Sequence, residues 1–215
     1  VEGMLRSAYF NSGQACSGSE RVLVHESVYR AFMERFTAAV AGMAVGEGFD
    51  ERSVVGPMVS KRQQEKVQGA LDRATAAGAR IPARAELPRD ARLKGGYWIP
   101  PTVVTEAAPD AEIMTEEVFG PVAGIIPFKD EDEAVAIANA VSYGLTSGVW
   151  TRDLGVAHRM ATRLEAGVVS VNRVNTGELG LPFGGYKRSG VGRKKDFQEA
   201  MRSFSRVKAI QIALP

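Results

Sequence analysis

The sequence predicts an α/β domain of three layers, in which a parallel sheet is covered by helices. Short β-branched and apolar runs alternate along the chain with amphipathic helical patterns, an order that is typical of parallel sheets. The 215 residues are enough for one hydrophobic core, and their composition, 45% hydrophobic and 24% charged, is that of an ordinary globular domain. The strand-then-helix order occurs twice, on either side of an irregular stretch at 79–101.

The first unit opens with a predicted strand over 21–24, which is a short β-branched run. Ser27 is placed to cap the helix that follows. The apolar residues that form one face of this helix recur at a spacing of four: Val28, Phe32, Phe36 and Val40.

A second helix is predicted to begin at Ser60 and to end at Gly78, because glycine suits the left-handed conformation that closes many helices. Its inward residues are Val67, Ala70, Leu71, Ala74 and Ala77. The stretch at 79–101 is rich in proline, arginine and glycine and has little periodicity. It predicts a surface excursion and not a domain boundary.

The second unit predicts three strands joined by two helices. Asp130 and Glu133 form a capping box at the first helix, and Asp153 caps the second. The strands cover 122–128, 146–151 and 167–171. The apolar residues assigned to the helix faces are Ala134, Ile137, Ala138 and Val141, and then Val156, Ala157, Met160 and Leu164. Helical crossovers between parallel strands are right-handed, so we expect all three strands in one sheet.

The end of the chain predicts an extended strand after the last helix. Apolar Ile210, Ile212 and Leu214 alternate there with smaller or polar residues across 204–214. The chain is therefore divided into one domain over 1–202 and a terminal strand over 203–215.

Charge and composition argue against several classes of function. The 27 Lys and Arg residues and 25 Asp and Glu residues leave a net charge of +2, and the basic residues are scattered, so we expect no nucleic-acid partner. No run approaches the roughly 20 consecutive apolar residues of a membrane span, and the start of the chain carries no secretion signal. We therefore expect a cytoplasmic protein with no membrane partner.

Few residues are available for disulfide or metal chemistry. Cys16 is the single cysteine, so it can form neither an internal disulfide nor a multi-thiolate metal site. His25 and His158 are the two histidines, and both suit surface or capping roles. We expect no metal site and a mechanism that works without a histidine base.

Cys16 ends the segment Asn-Ser-Gly-Gln-Ala-Cys at 11–16, which follows a helical pattern. Gly13 breaks that helix and lets the backbone turn sharply before the thiol. A free cysteine is often only a small buried apolar residue, and from the residue alone both interpretations are open. The polar neighbours favour a reactive thiol on a loop, since a thiolate is a strong nucleophile.

Three segments together resemble the aldehyde dehydrogenase superfamily. Residues 11–16 match the N-x-G-Q-x-C segment around that family's catalytic cysteine, 116–121 match its E-E-x-F-G-P segment, and 182–190 match its P-F-G-G-x-K-x-S-G segment. They follow in the family's order over nearly the whole chain. The resemblance narrows the expected fold to the superfamily's catalytic domain, with the C-terminal strand used in assembly of a homodimer or homotetramer.

The resemblance implies a mechanism centred on Cys16. The thiol would attack an aldehyde carbonyl, the thiohemiacetal would pass hydride to NAD or NADP, and water would hydrolyse the remaining thioester to a carboxylic acid. The backbone N–H of Cys16 would help to hold the oxyanion. By the same resemblance, Glu117 accepts hydrogen bonds from the nicotinamide ribose hydroxyls, Phe119 flanks the nicotinamide, and Phe183 lines the aldehyde tunnel.

Other parts of that family's machinery do not occur in these 215 residues. The resemblance assigns the deacylating glutamate to an E-L-G-G-K segment upstream of the cysteine, where only residues 1–15 are present. The dinucleotide-binding domain, an asparagine that supplies a second oxyanion donor and a ribose-contacting lysine belong to the same upstream part. We therefore expect this chain to be the C-terminal catalytic part of a longer protein.

The resemblance leaves the aldehyde, and the choice between NAD and NADP, undetermined. The loop at 173–178 corresponds to the variable substrate entrance, where Arg173 suits either a carboxylate-bearing semialdehyde or a surface salt bridge. Two alternatives stay open. The first is an enzyme that releases the thioester to coenzyme A, which the residues at 15–18 disfavour. The second is a non-catalytic structural or assembly module descended from the enzyme, which would explain why the base and the cofactor domain do not occur in these residues.

Overall fold

A computed structural model of the protein describes residues 1–174 and 180–214. The strands among these residues are β1 (Arg21–His25), β2 (Arg80–Arg84), β3 (Thr102–Thr105), β4 (Val122–Phe128), β5 (Tyr143–Gly144), β6 (Thr146–Val149), β7 (Val168–Val171) and β8 (Tyr186–Lys187). The α-helices are α1 (Glu2–Tyr9), α2 (Glu26–Ala41), α3 (Lys61–Ala76), α4 (Glu112–Thr115), α5 (Glu131–Asn139), α6 (Leu154–Arg163) and α7 (Phe197–Ser203). Two 3-10 helices span Phe10–Gly13 and Ala91–Leu93.

The main sheet has the strand order β1-β4-β3-β2. β1 and β3 lie parallel to β4 on its two edges, and β2 joins β3 as an antiparallel edge strand. The expected α/β fold with a mainly parallel sheet is confirmed.

Helices cover both faces of this sheet because alternate strand residues point to opposite sides. Ala123 and Ile125 of β4 pack in one cluster with Phe36 of α2. Val122 and Ile126 of the same strand pack in a second cluster with residues of α3. The sheet is thus the middle of three layers.

The stretch at 79–101 is not only a surface excursion, because it contains β2. The sequence Arg-Ile-Pro-Ala-Arg has little alternation, and its proline cannot donate to a ladder. An edge strand tolerates such a proline, since one side of its backbone needs no partner. The pairing of β2 with β3 is in fact irregular between Arg80 and Ala83, on either side of Pro82.

The expectation that 122–128, 146–151 and 167–171 share one sheet was wrong. β6 and β7 pair with each other in a separate parallel sheet, and β5 pairs with β8 in another. Neither β6 nor β7 can join β4, because β1 and β3 occupy its two edges, and among the described residues neither pairs with the outer edge of β1.

The predicted helix caps are confirmed with one exception. Ser60 accepts a hydrogen bond from the Gln63 N–H (3.2 Å), and Asp153 accepts one from the Val156 N–H (2.9 Å). Gly78 is left-handed, with φ of +99°. Half of the predicted capping box is present: the Asp130 carboxylate accepts from the Glu133 N–H, but the Glu133 carboxylate accepts from the N–H of Lys129 and not from that of Asp130.

The exception is α2, which begins at Glu26 and is capped by His25 instead of Ser27. The His25 ring nitrogen Nδ1 accepts a hydrogen bond from the Ser27 N–H at 3.2 Å. β1 runs through His25, so the chain passes from strand to helix with no intervening loop, and the last strand residue becomes the cap. His25 therefore has the capping role expected of it.

The segment after α7 forms no strand within the described part of the chain. Its apolar side chains are exposed, Phe204 at 94% and Leu214 at 87% among them. A strand is completed by a partner backbone, and within residues 1–174 and 180–214 none pairs with this segment. Separately, no helix of the described residues is both long enough and apolar enough to cross a membrane.

Candidate active site

Cys16 lies on a loop that follows three consecutive left-handed residues. The φ angles of Asn11, Ser12 and Gly13 are 49°, 59° and 70°. The chain reverses in a turn around Cys16, where the Gly18 N–H donates to the Ala15 carbonyl at 2.8 Å, and the Cys16 side chain is exposed. The predicted placement of the thiol on an exposed loop is confirmed.

Two of these left-handed residues are not glycine, and each such residue costs about 1–2 kcal/mol. Side-chain hydrogen bonds offset the cost. Asn11 Nδ2 donates to the Gln14 carbonyl at 3.0 Å. The buried Ser12 hydroxyl donates to the Gly56 carbonyl and accepts from the Gly56 N–H, both at 3.0 Å. The loop is therefore held in one conformation by the segment before α3.

Gln14 provides the second anchor of the Cys16 loop. Its side-chain carbonyl Oε1 accepts a hydrogen bond from the Val59 N–H at 2.9 Å. Gln14 and Val59 also line an open cavity of about 400 Å³, whose other lining residues are Asn11, Pro57 and Phe119. The Q of the N-x-G-Q-x-C segment, two residues before Cys16, thus builds one wall of this cavity.

The structure brings the first two motifs into direct contact at Gly13. A Cβ atom on Gly13 would overlap the carbonyl of Gly120, so only glycine fits between the two segments. Phe119, next to Gly120, lines the same cavity as Gln14. Residues about a hundred positions apart in sequence therefore meet at one site.

The segment at 116–121 is held by residues that the sequence analysis missed. Phe119 is left-handed, with φ of 56°. Glu20 accepts hydrogen bonds from the N–H groups of Val118 (2.9 Å) and Phe119 (2.6 Å). Gln63 Nε2 donates to the carbonyls of the same two residues, at 3.1 and 2.9 Å. No motif marks Glu20; its only signal is a carboxylate directly before a buried strand.

Burial raises the pKa of Glu20 above the ordinary value, and repulsion from Glu117 acts in the same direction. The two backbone N–H groups oppose the shift, as does the positive charge of Lys66. The carboxylate is thus costly to bury and is stabilised mainly by the peptide groups that it holds.

Glu117 is exposed, and its own backbone carbonyl accepts a hydrogen bond from Lys66 Nζ at 2.6 Å. Its neighbour Glu116 accepts from the Tyr143 hydroxyl at 3.0 Å, which raises the pKa of that hydroxyl. The role of Glu117 toward a ribose, like that of Phe119 toward a nicotinamide, stays a prediction.

The third motif lies in a separate group of contacts. Phe183 exchanges backbone hydrogen bonds with Lys194, at 2.6 and 2.8 Å, and Lys195 Nζ lies 4.5 Å from the centroid of its half-buried ring. Lys187 donates to the carbonyl of Asn139 at the end of α5 (2.6 Å) and pairs with Glu165. These contacts fix the segment on the β5 side of the molecule. Within the described residues, no contact of this segment reaches the Cys16 loop.

Two further expectations concern this region. The expectation that Gly184 and Gly185 form a tight turn is not met, since the turn lies at 188–189; the two glycines allow close packing instead, because a Cβ on either would overlap neighbouring atoms of Gly192 or Ser189. Of the expected entrance loop at 173–178, Arg173 is exposed, and positions 175–178 lie outside the described residues. Within 1–174 and 180–214, no three His, Cys, Asp or Glu side chains are grouped so that they could hold a metal ion.

Comparison with known proteins gives consistent matches. The model of the aldehyde dehydrogenase family matches residues 1–210. An aldehyde dehydrogenase of Monascus ruber is 38% identical over 211 residues, which are 98% of this chain and 42% of that protein. A 2-hydroxymuconic semialdehyde dehydrogenase of Pseudomonas putida is 42% identical over 195 residues, covering 90% of this chain and 40% of the relative.

Solved structures agree with these sequences. A betaine aldehyde dehydrogenase of Staphylococcus aureus, crystallised in complex with NAD+, superposes with a TM-score of 0.90 and 35% identity, over 94% of this chain and 40% of that one. An aldehyde dehydrogenase of Bacillus cereus superposes with a TM-score of 0.90 and 36% identity, over 96% of this chain and 41% of that one. The chain thus spans well under half the length of the proteins that it matches.

Proposed function

The chain belongs to the aldehyde dehydrogenase family, and on this premise we propose that it is the catalytic part of an NAD(P)-dependent enzyme that oxidises an aldehyde to a carboxylic acid. One observation carries the proposal: the exposed thiol of Cys16 stands on a loop that is locked against the segment of Phe119 and Gly120. The Cys16 loop and the candidate cofactor contact Phe119 thereby meet at one cavity, which is lined by Asn11 and Gln14 of that loop and by Phe119.

The first step assigned to this chain is attack of the Cys16 thiolate on the aldehyde carbonyl carbon, which forms a thiohemiacetal. The negative charge that develops on the carbonyl oxygen needs a hydrogen-bond donor. Within the described part of the chain the Cys16 N–H donates to no acceptor, so it is available for that oxygen. Loss of hydride from the thiohemiacetal leaves a thioester on Cys16, and water releases the acid.

Phe119 at the cavity wall and Glu117, two residues before it in the chain, suit a nicotinamide nucleotide. Glu117 offers an exposed carboxylate that can accept from two neighbouring ribose hydroxyls at once. Phe119 offers a half-buried ring at the cavity wall, against which a planar ring can pack. When bound, the nicotinamide supplies the hydride acceptor. Use of NAD+ is supported by the Staphylococcus aureus relative, which was crystallised with it.

The base that activates the hydrolytic water is assigned to a part of the protein outside this chain, because no E-L-G-G-K segment occurs in it. Phe183 is proposed to line the aldehyde path. Ala15 and Ser17 beside the nucleophile are small, which leaves room for a substrate at the thiol. A single cysteine suits the reducing cytoplasm, where we expect the protein to act.

The test compares the complete gene product with residues 1–215 expressed alone. Formation of NADH from an aldehyde and NAD+ should continue over many turnovers in the complete protein. The isolated chain should give none, because it carries Cys16 but neither the base nor most of the cofactor site. Absence of turnover in the complete protein with a panel of aldehydes would support the assembly-module alternative. Formation of an acyl-CoA thioester in place of the free acid, in a reaction that requires coenzyme A, would point to the acylating class.

We also propose that the segment after α7 joins subunits of a homo-oligomer. Its exposed apolar residues are Phe204, Val207, Ile210, Ile212 and Leu214. An apolar segment of this kind gains both ladder hydrogen bonds and burial by pairing with another chain, and closed symmetric assemblies are the rule for identical subunits.

Deletion of 204–214 from the complete protein should therefore lower its mass in solution to that of a smaller assembly, as measured by light scattering. Far-UV circular dichroism should stay nearly unchanged, because the segment contributes no helix or strand to the described fold. An unchanged assembly after the deletion would count against this role.

A further inference from the structure

We propose that Glu20 is a positioning residue for the cofactor: its carboxylate holds the left-handed turn at Phe119 and thereby determines where Glu117 and Phe119 stand against the nicotinamide nucleotide. The inference rests on the proposed function, since it concerns the same site. Glu20 itself touches neither substrate nor cofactor in this account and acts through the peptide groups that it binds.

The geometry begins with two successive N–H groups that converge on one anion. Val118 donates to Oε2 of Glu20 at 2.9 Å, and Phe119 donates to Oε1 at 2.6 Å. Such a pair of peptide donors forms an anion-binding nest. The left-handed φ of 56° at Phe119 is unfavourable for a residue with a side chain, so the bound carboxylate stabilises a conformation that the chain would otherwise leave.

Only a carboxylate satisfies both donors. An amide in the same place has one oxygen, and its NH2 group would face the second N–H as another donor. An aspartate is one methylene shorter and would not reach both groups from the same backbone position. The requirement for two acceptors explains why an acidic residue occupies a largely buried position.

Glu20 also connects the two halves of the site. It follows Cys16 by only a few residues, and its own carbonyl accepts from the Gly124 N–H of β4 at 2.8 Å, which holds its backbone in place. From α3, Gln63 and Lys66 bind the carbonyl groups at 117–119. The N–H groups of Val118 and Phe119 are bound by Glu20, on the nucleophile's side of the chain.

The experiment uses the complete gene product and its Glu20→Gln and Glu20→Ala variants, with Val40→Ala as a matched control. Val40 is fully buried in the cluster around α2, so its truncation lowers stability without touching the cofactor segment. For each protein we would measure the NAD+ dissociation constant by quenching of Trp fluorescence. The KM for aldehyde, the rate of Cys16 alkylation by iodoacetamide and the hydrogen exchange of the peptide at 116–121 complete the comparison.

We expect both Glu20 variants to raise the NAD+ dissociation constant about tenfold. The KM for aldehyde, measured at saturating NAD+, and the alkylation rate of Cys16 should stay within about twofold of wild type, because the hydrogen bonds that hold the Cys16 loop to Gly56 and Val59 do not involve Glu20. Exchange at 116–121 should become faster in the variants. Val40→Ala should lower Tm and leave NAD+ affinity unchanged.

Other results overturn the inference. Equal NAD+ affinity in wild type and both Glu20 variants would leave Glu20 without a positioning role. An equal loss of affinity in Val40→Ala would make the effect one of general stability. If the wild-type protein binds no NAD+, the proposed function fails and the cofactor role of Glu20 fails with it. This outcome differs from the first one, in which the wild type and both Glu20 variants bind NAD+ equally well.

Discussion

Replacement of Cys16 by alanine in the complete protein is expected to lower kcat for aldehyde oxidation by at least about four orders of magnitude, the scale seen when a covalent nucleophile is removed. The free energy of unfolding should change by less than about 0.5 kcal/mol, because surface substitutions away from special contacts have effects of that size. The side chain of Cys16 is exposed and belongs to none of the three core clusters. The substitution should therefore remove the activity and leave the free energy of unfolding nearly unchanged.

The measurement pairs NADH formation with denaturant unfolding, and Ser17→Ala serves as the neighbouring control, which should retain most of the activity. Iodoacetamide adds an independent reading. In residues 1–215 expressed alone, the exposed thiol should be alkylated nearly as fast in the folded chain as in the denatured chain. Protection typical of a buried thiol, or substantial activity in Cys16→Ala, would remove Cys16 from the mechanism.

Substitution of Gly13 by alanine is expected to be the most damaging single change that leaves every motif side chain in place. Two costs combine at this position. The φ of +70° is unfavourable for alanine, and its Cβ would overlap the Gly120 carbonyl, which is backbone and cannot rotate away. We expect the free energy of unfolding to fall by about 3 kcal/mol or more.

Two other glycines separate these costs. Gly78 has φ of +99° but nothing within 4 Å of a Cβ position, so Gly78→Ala should cost only the conformational part, about 1 kcal/mol. Gly48 is not left-handed and also has open space, so Gly48→Ala should stay within about 0.5 kcal/mol of wild type.

Urea unfolding of the three variants gives the comparison, and kcat gives the functional consequence. Gly13→Ala should also lose activity, because the Cys16 loop and the Phe119 segment cannot keep their contact. A cost for Gly13→Ala no larger than that for Gly78→Ala would mean that the two segments are not packed together as the structure has them.

Local features of this protein can be predicted from its sequence where the signal and its partner lie close together in the chain. The caps at Ser60, Asp130 and Asp153 were predicted because each cap binds a peptide group three residues further on. Gly78 was predicted for the same reason, since a helix end needs a left-handed residue at one position. The exposed Cys16 loop followed from Gly13 and its polar neighbours, which is also local information.

Strand pairing was predicted less well because it depends on which sheet edges are free. Nothing within 79–101 shows that its first residues pair with β3, since β3 begins only at Thr102, after an irregular connection. The separation of β6 and β7 from β4 likewise follows from the occupied edges of β4 and from no property of β6 or β7. A pattern of apolar residues indicates that a strand exists but not which strand it joins.

The sequence by itself determined the class of the fold, the family resemblance and the choice of Cys16 as candidate nucleophile, because these depend on local patterns and on residue types at short spacings. Only the tertiary structure decided that Gly13 packs against Gly120 and that Glu20 binds the N–H groups of Val118 and Phe119. A buried carboxylate requires donors, but any peptide group in the chain could supply them. Which groups do so is decided by the packing of β1 beside β4, which brings the end of the Cys16 loop to the segment that precedes β4.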